Sequence, residues 1–245
     1  MKLRLQMVSL LVLATVVATL SAAFVANAHT ASNWYGPKWG SNHLNPKWRF
    51  ANDVPTGTWL RDRIKDGAGH WNNQGQPMSF NFEQNQSDYA AFPFMSCPKN
   101  ADGTPNAEKD AIHWSYIDGP TGTAGQAYVC SFANAGGTDA NSIANFQIRF
   151  DSGENWYTND TGTPSCASAS TCETDLESVA SHEFGHATGR VKGGDGFGHF
   201  TSGNDGWICN NNADQHHTMC KTGIANTTYD RTLNTHDKDT FDNAY

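Results

Sequence analysis

Three residues of this 245-residue chain have the types and spacing for one kind of chemistry. His182 and His186 are four apart, so on a helix they stand one turn above each other on the same face. Two imidazoles set that way direct ring nitrogens at a single zinc ion, for which histidine is a common ligand. Glu183 lies about 100° round the helix axis from His182. That keeps it off the ligand line but within reach of a water beside the metal. The division of labour suits hydrolysis: zinc lowers the water's pKa toward ~7 and polarises a carbonyl, while the carboxylate takes the proton.

The two ligands require a helix, and the flanking residues supply one. Thr174-x-x-Glu177 reads as a capping box. Behind it Leu176, Val179, Ala180, Phe184 and Ala187 fall at helical intervals, with both histidines off that apolar face. Gly189 fits the left-handed residue just past a helix end. Upstream, residues 47–55 ("KWRFANDVP") read as a strand that stops at proline, and Trp59, Leu60, Ile64, Ala68 and Trp71 mark a second helix. Alternation in "MSFNFE" and "NFQIRFD", with "AIHWSYI" and "QAYVCSF" between them, predicts further strands. From Arg190 to Thr235 the chain reads as loop rich in glycine and asparagine, and "HDKDTFDNAY" as a short closing helix. This order predicts an α+β domain with a mixed sheet.

The rest of the chain narrows the setting. Lys2 and Arg4 precede a long apolar run that ends at Ala26-Asn27-Ala28, the pattern of a secretory signal cut before His29. The run is also long enough for an uncleaved anchor, but the small-residue site directly after it favours cleavage. The formal charge is −8, and losing Lys2 and Arg4 makes it more negative, which argues against nucleic acid or anionic membrane as a partner. Six cysteines, none in a C-x-x-C pair, suit disulfides in an exported chain. Pairing of sequence neighbours (97 with 130, 166 with 172, 209 with 220) is the expected arrangement. The expected organisation is a signal peptide over 1–28, an N-terminal arm over 29–46 and one catalytic domain over 47–245. Trp34, Trp39 and Trp48 are expected to pack that arm more readily than to form a carbohydrate-binding surface.

"LESVASHEFGHATG" resembles the active-site helix of metzincin metalloproteases, and most closely that of the matrixins. The opening strand, helix and strand (residues 47–82), "FDSGENW", "HTMC" and "LNTHDKDTFDNAY" are similar to matrixin segments as well. The resemblance implies a metzincin-like catalytic domain: a twisted mixed sheet, an active-site helix, a loop-rich lower subdomain and a C-terminal helix. It implies one catalytic zinc and a protein or peptide substrate. It sets Met219 in a turn beneath the metal, Gly189 at the exit of the helix, and a structural calcium on Asp151 and Glu154, which are otherwise ordinary surface carboxylates. Arg149 stands where animal matrixins carry a histidine for a second zinc, so the resemblance does not extend to that site, and no cysteine-switch segment is present.

The family's third histidine is missing from its usual place, where Lys192 stands instead, an ammonium with no lone pair to give. Asp195 and His199 follow, with His216 and His217 beside the Met219 turn. Glycines at 193, 194, 196 and 198 let the chain loop out and return. The longer loop costs only about 1 kcal/mol more to close, which is small beside the binding free energy of a zinc site. Imidazole suits zinc, so His199 is the expected third ligand and Asp195 its rival. The expected function is therefore a secreted, monomeric zinc endopeptidase with Glu183 as base. An inactive binding module on the same fold and a zinc hydrolase of cell-wall peptides are the alternatives. Casein digestion with and without a chelator separates the first from the other two.

Overall fold

The strand of longest reach, β6 (Ser142–Asp151), organises the domain. The computed structural model describes residues 34–131 apart from 42, 58, 73, 104–105, 107–108 and 121, then 142–165, 172–191, 218–220, 228, 231–242 and 245. Among these residues, β1 (Trp34–Trp39), β2 (Lys47–Phe50), β3 (Asn81–Phe82), β4 (Asp110–Ser115), β5 (Gly125–Ser131), β6 and β9 (Gly189–Val191) make one sheet. Its order is β3-β2-β4-β6-β1-β9, with β5 added along β6. The pairs β2–β3, β2–β4, β4–β6 and β1–β6 are parallel, while β5–β6 and β1–β9 are antiparallel. Strands β7 (Trp156–Tyr157) and β8 (Thr174–Asp175) pair by themselves, β8 leading directly into the helix α2 (Leu176–Ala187). The fold is the expected α+β arrangement with a mixed sheet.

One face of the sheet holds the core. Phe146, Ile148 and Phe150 alternate along β6 beside Ile112, Trp48 and Phe50. Two helices cover this face: α1 (Trp59–Asn72), through Leu60, Ile64, Ala68 and Trp71, and α2 (Leu176–Ala187). Phe184 of α2 is fully buried, its ring centroid 4.9 Å from Phe80, 5.3 Å from Trp48 and 5.7 Å from Phe146. Burying such a side chain contributes about 1.5–3 kcal/mol. At the helix crossing, a Cβ on Gly67 would stand 2.5 Å from the Ala180 Cβ, so glycine sets how closely α1 approaches α2.

The strict alternation of "NFQIRFD" predicts a half-buried strand, yet β6 is buried along almost its whole length. The segment after β3 explains this by covering the outer face. Gln147 Oε1 accepts the N–H of Met95 at 2.9 Å, the Arg149 guanidinium lies 4.6 Å from the Phe94 ring centre, and a disulfide from Cys97 to Cys130 fastens the segment to β5. That disulfide is one of the expected neighbour pairs. Cys172 and Cys220 are also disulfide-bonded, and their expected partners Cys166 and Cys209 lie outside the described residues.

Residues 34–39, within the stretch read as an N-terminal arm, form a strand of the main sheet between β6 and β9. Trp39 and Trp48 are core residues, in keeping with the packing role expected of them. The stretch from Arg190, read as loop, begins as β9.

Candidate metal centre

Helix α2 begins one residue later than its sequence suggests. Asp175, not Thr174, is the N-cap: its Oδ2 accepts the Ser178 N–H at 2.9 Å and the Ser178 hydroxyl at 2.6 Å. Glu177, read as the far half of a capping box, instead holds α1. Its Oε1 meets His70 Nε2 at 2.8 Å and its Oε2 accepts from Arg63 Nη1 at 3.0 Å. Burial pushes the Glu177 carboxyl up, but the His70 bond with Arg231 and Arg63 outweighs it and the pKa is lowered. Arg231 closes the assembly by gripping Asp175 with Nε and Nη2 and donating to the carbonyls of Asn159 and Asp160.

The other end of α2 is held with equal care. Gly189 has φ 125°, a conformation that favours glycine, and lets the chain turn into β9. The last helical carbonyls, which have no partner within a helix, find them elsewhere. Trp39 Nε1 donates to Ala187 O at 2.8 Å, and the hydroxyl of the final residue, Tyr245, donates to Thr188 O while accepting the Trp39 N–H at 3.2 Å. Midway, Trp71 Nε1 donates to Ser181 O at 2.8 Å.

On this fixed helix the His182 and His186 Nε2 atoms converge to 3.0 Å. Two ligands of one tetrahedral zinc, each about 2.0–2.1 Å from the metal, stand roughly 3.3 Å apart, so the pair fits a shared ion. His182 Nδ1 lies 2.6 Å from Thr218 O. A carbonyl only accepts, so this bond assigns the proton to Nδ1 and leaves the Nε2 lone pair for a metal. Among the described residues no group of three metal-binding side chains comes together. Lys192, Asp195, His199, His216 and His217 all lie outside the described residues.

Glu183 points the other way round the helix, against the edge strand β5. A Cβ on Gly125 would come within 2.9 Å of both Glu183 Cγ and Oε1, so only glycine leaves room for the carboxyl there. Burial pushes the Glu183 carboxyl up to about 8, and the backbone N–H of Ala127 offsets only part of that. Met219 is buried beneath α2, with its sulfur against Gly185. The turn that carries it is fixed by Asp237, whose carboxylate accepts the N–H groups of Thr218 at 3.0 Å and Met219 at 3.2 Å.

The calcium expectation for Asp151 and Glu154 is not supported. Asp151 is fully buried and both its oxygens are occupied: Oδ1 accepts from Ile117 and Gly153, Oδ2 from Asp118 and Gly119, at 2.6–3.0 Å. Burial would raise this carboxyl's pKa, but the four amides lower it overall. Those donors use the lone pairs a cation would need. Glu154 accepts the Thr174 hydroxyl at 2.8 Å. Asp151 thus anchors the turns on either side of it.

The sequence reading missed Asp237, Thr218 and the pairing of Trp39 with Tyr245. Only the tyrosine that ends the matrixin-like closing helix pointed in their direction. A sequence model of the matrixin peptidase family matches residues 38–191, more than half of the chain. The match includes His182, Glu183 and His186 and ends before His199. No curated protein matches.

Proposed function

The chain belongs to the matrixin family of metallopeptidases, and we propose that it is an exported zinc endopeptidase in which His182, His186 and His199 hold the metal and Glu183 is the general base. One observation carries the reading: the two Nε2 atoms of α2 meet at 3.0 Å while His182 Nδ1 is committed to Thr218 O. A bare structural pair of histidines has no need of that second contact, whereas a metal ligand needs its tautomer fixed.

Zinc, when bound, supplies Lewis acidity, polarising a carbonyl and bringing a water's pKa to about 7. The chain's own residues supply the rest. Burial alone would keep the Glu183 carboxyl protonated near neutral pH; the charge of a bound cation would favour its ionised form, which accepts a proton from the attacking water and returns it to the leaving amine. Its backing by Gly125 and the Ala127 amide keeps it turned toward β5 and out of the ligand set. Met219 gives the histidine pair an apolar floor, a role that suits its flexible thioether. In this reading His199 is the third ligand, and the glycines at 193, 194, 196 and 198 give the intervening sequence the freedom to bring it there.

Export is supported by the signal pattern over 1–28 and by the cysteines. Among the described residues none is free, and a bond joins Cys97 to Cys130, as suits an oxidising compartment. No helix among the described residues is long and apolar enough to cross a membrane. Digestion of casein with and without a chelator tests the proposal. Cleavage that stops on chelation and returns with zinc supports it, and no cleavage by the zinc-loaded protein rejects it.

A further inference from the structure

Asp237 lies in the closing helix α3 (Thr235–Asp242), 55 positions after His182. The residue is 1% exposed, and its carboxylate faces the turn beneath the histidine pair. Oδ1 accepts the Met219 N–H at 3.2 Å, and Oδ2 accepts the N–H groups of Thr218 at 3.0 Å and Asn234 at 3.1 Å. The peptide unit joining Thr218 to Met219 is therefore engaged at both ends. Its N–H donates to Asp237, and its carbonyl accepts the Nδ1–H of His182 at 2.6 Å.

Hydrogen bonds in series polarise one another, and more so at low dielectric. An amide whose N–H points at a carboxylate carries extra negative charge on its oxygen. His182 Nδ1–H then meets a stronger acceptor than an ordinary carbonyl, which fixes its tautomer and raises the basicity of Nε2. Metal-binding histidines commonly receive this service from a carboxylate bonded to the ring itself. We propose that Asp237 is a positioning residue that tunes His182 for metal binding through the intervening 218–219 peptide bond. The inference rests on His182 being a metal ligand.

A purely structural reading competes with it. The bond to Asn234 N–H is the reach-back half of a capping box, so Asp237 also stabilises the start of α3. The test must therefore separate loosening of α3 from loss of the relay. Phe241 serves as the control: it is buried in the same helix, with its ring centroid 5.5 Å from that of Trp71. Zinc affinity of the full mature chain is measured by competition with a chromogenic chelator for wild type, Asp237→Asn, Phe241→Leu and His182→Ala. In parallel, the His182 Nδ1–H resonance is followed in histidine-labelled protein. The relay predicts that Asp237→Asn weakens zinc binding about 10–100-fold and moves that resonance upfield, while Phe241→Leu lowers the melting temperature and leaves both unchanged. Zinc affinity unchanged in Asp237→Asn, or reduced equally in Phe241→Leu, overturns the relay and leaves His182 as a ligand. Full zinc binding by His182→Ala overturns the ligand assignment and the relay with it.

Discussion

The Met219 sulfur lies 2.1 Å from where a Cβ on Gly185 would stand, so helix α2 rests on the turn beneath it only because residue 185 has no side chain. Trp71 closes the same space from the side, with its Cζ2 2.7 Å from that point. Gly185→Ala should therefore cost about 1–3 kcal/mol by overpacking and displace His186, its neighbour. Met219→Leu conserves volume and should cost less than ~1.5 kcal/mol. Urea midpoints of the two variants check the order, and a Gly185→Ala protein as stable as wild type would refute the contact.

Glu183→Gln keeps the shape and removes the proposed base. Peptide hydrolysis should fall by about 10²–10⁴-fold while zinc per chain, by elemental analysis, stays at the wild-type level. Near-normal turnover in this variant would remove Glu183 from the reaction.

Tyr245→Phe deletes one hydroxyl and leaves two groups without their partner, the carbonyl of Thr188 and the N–H of Trp39. Such losses cost about 1–3 kcal/mol when the groups are buried. The denaturation midpoint should drop accordingly, and proteolytic nicking near Gly189 should rise because the exit from α2 is no longer tied down. An unchanged midpoint would show that the closing tyrosine is not a tether.

Asp151 gives a pH dependence with a defined sign. Its folded pKa is below the usual carboxylate value because four amides favour the charged form against burial. The stability it contributes is therefore fully present above its unfolded pKa of about 3.9. It is lost as pH falls through the lower, folded value. Between pH 6 and pH 3, wild type should lose more stability than Asp151→Asn, measured by chemical denaturation. Parallel loss in both proteins would mean the amides do not hold the charge.

The residues proposed for the chemistry were legible because their signal is local. His182, Glu183, His186 and the apolar stripe behind them lie within one helix, and Gly189 marks its end three residues after His186. What holds that helix was not legible, because its partners are distant in the chain. Trp39 reaches Ala187, Tyr245 reaches Thr188, and Arg231 reaches Asp175, across 148, 57 and 56 residues. Strand β1 was hidden by its own composition, since "WYGPKW" carries glycine and proline and gains a partner only through β6 and β9. Thr174 and Asp175 are both good caps, and only the geometry, with Arg231 seated on Asp175, decides between them. Asp237 is one acid among three in "DKDTFD"; its capping-box spacing from Asn234 is local, but its reach to the 218–219 turn is not written near it in the sequence.

The central claim is that His182, His186 and His199 hold one zinc on which hydrolysis depends. It is tested most directly by elemental analysis of zinc per chain, with casein digestion alongside, in wild type and in the separate alanine variants of His182, His186, His199 and Asp195. The account predicts about one zinc per chain with full digestion in wild type and Asp195→Ala, and neither zinc nor digestion in the three histidine variants. Zinc and digestion retained by His199→Ala but lost from Asp195→Ala would contradict it.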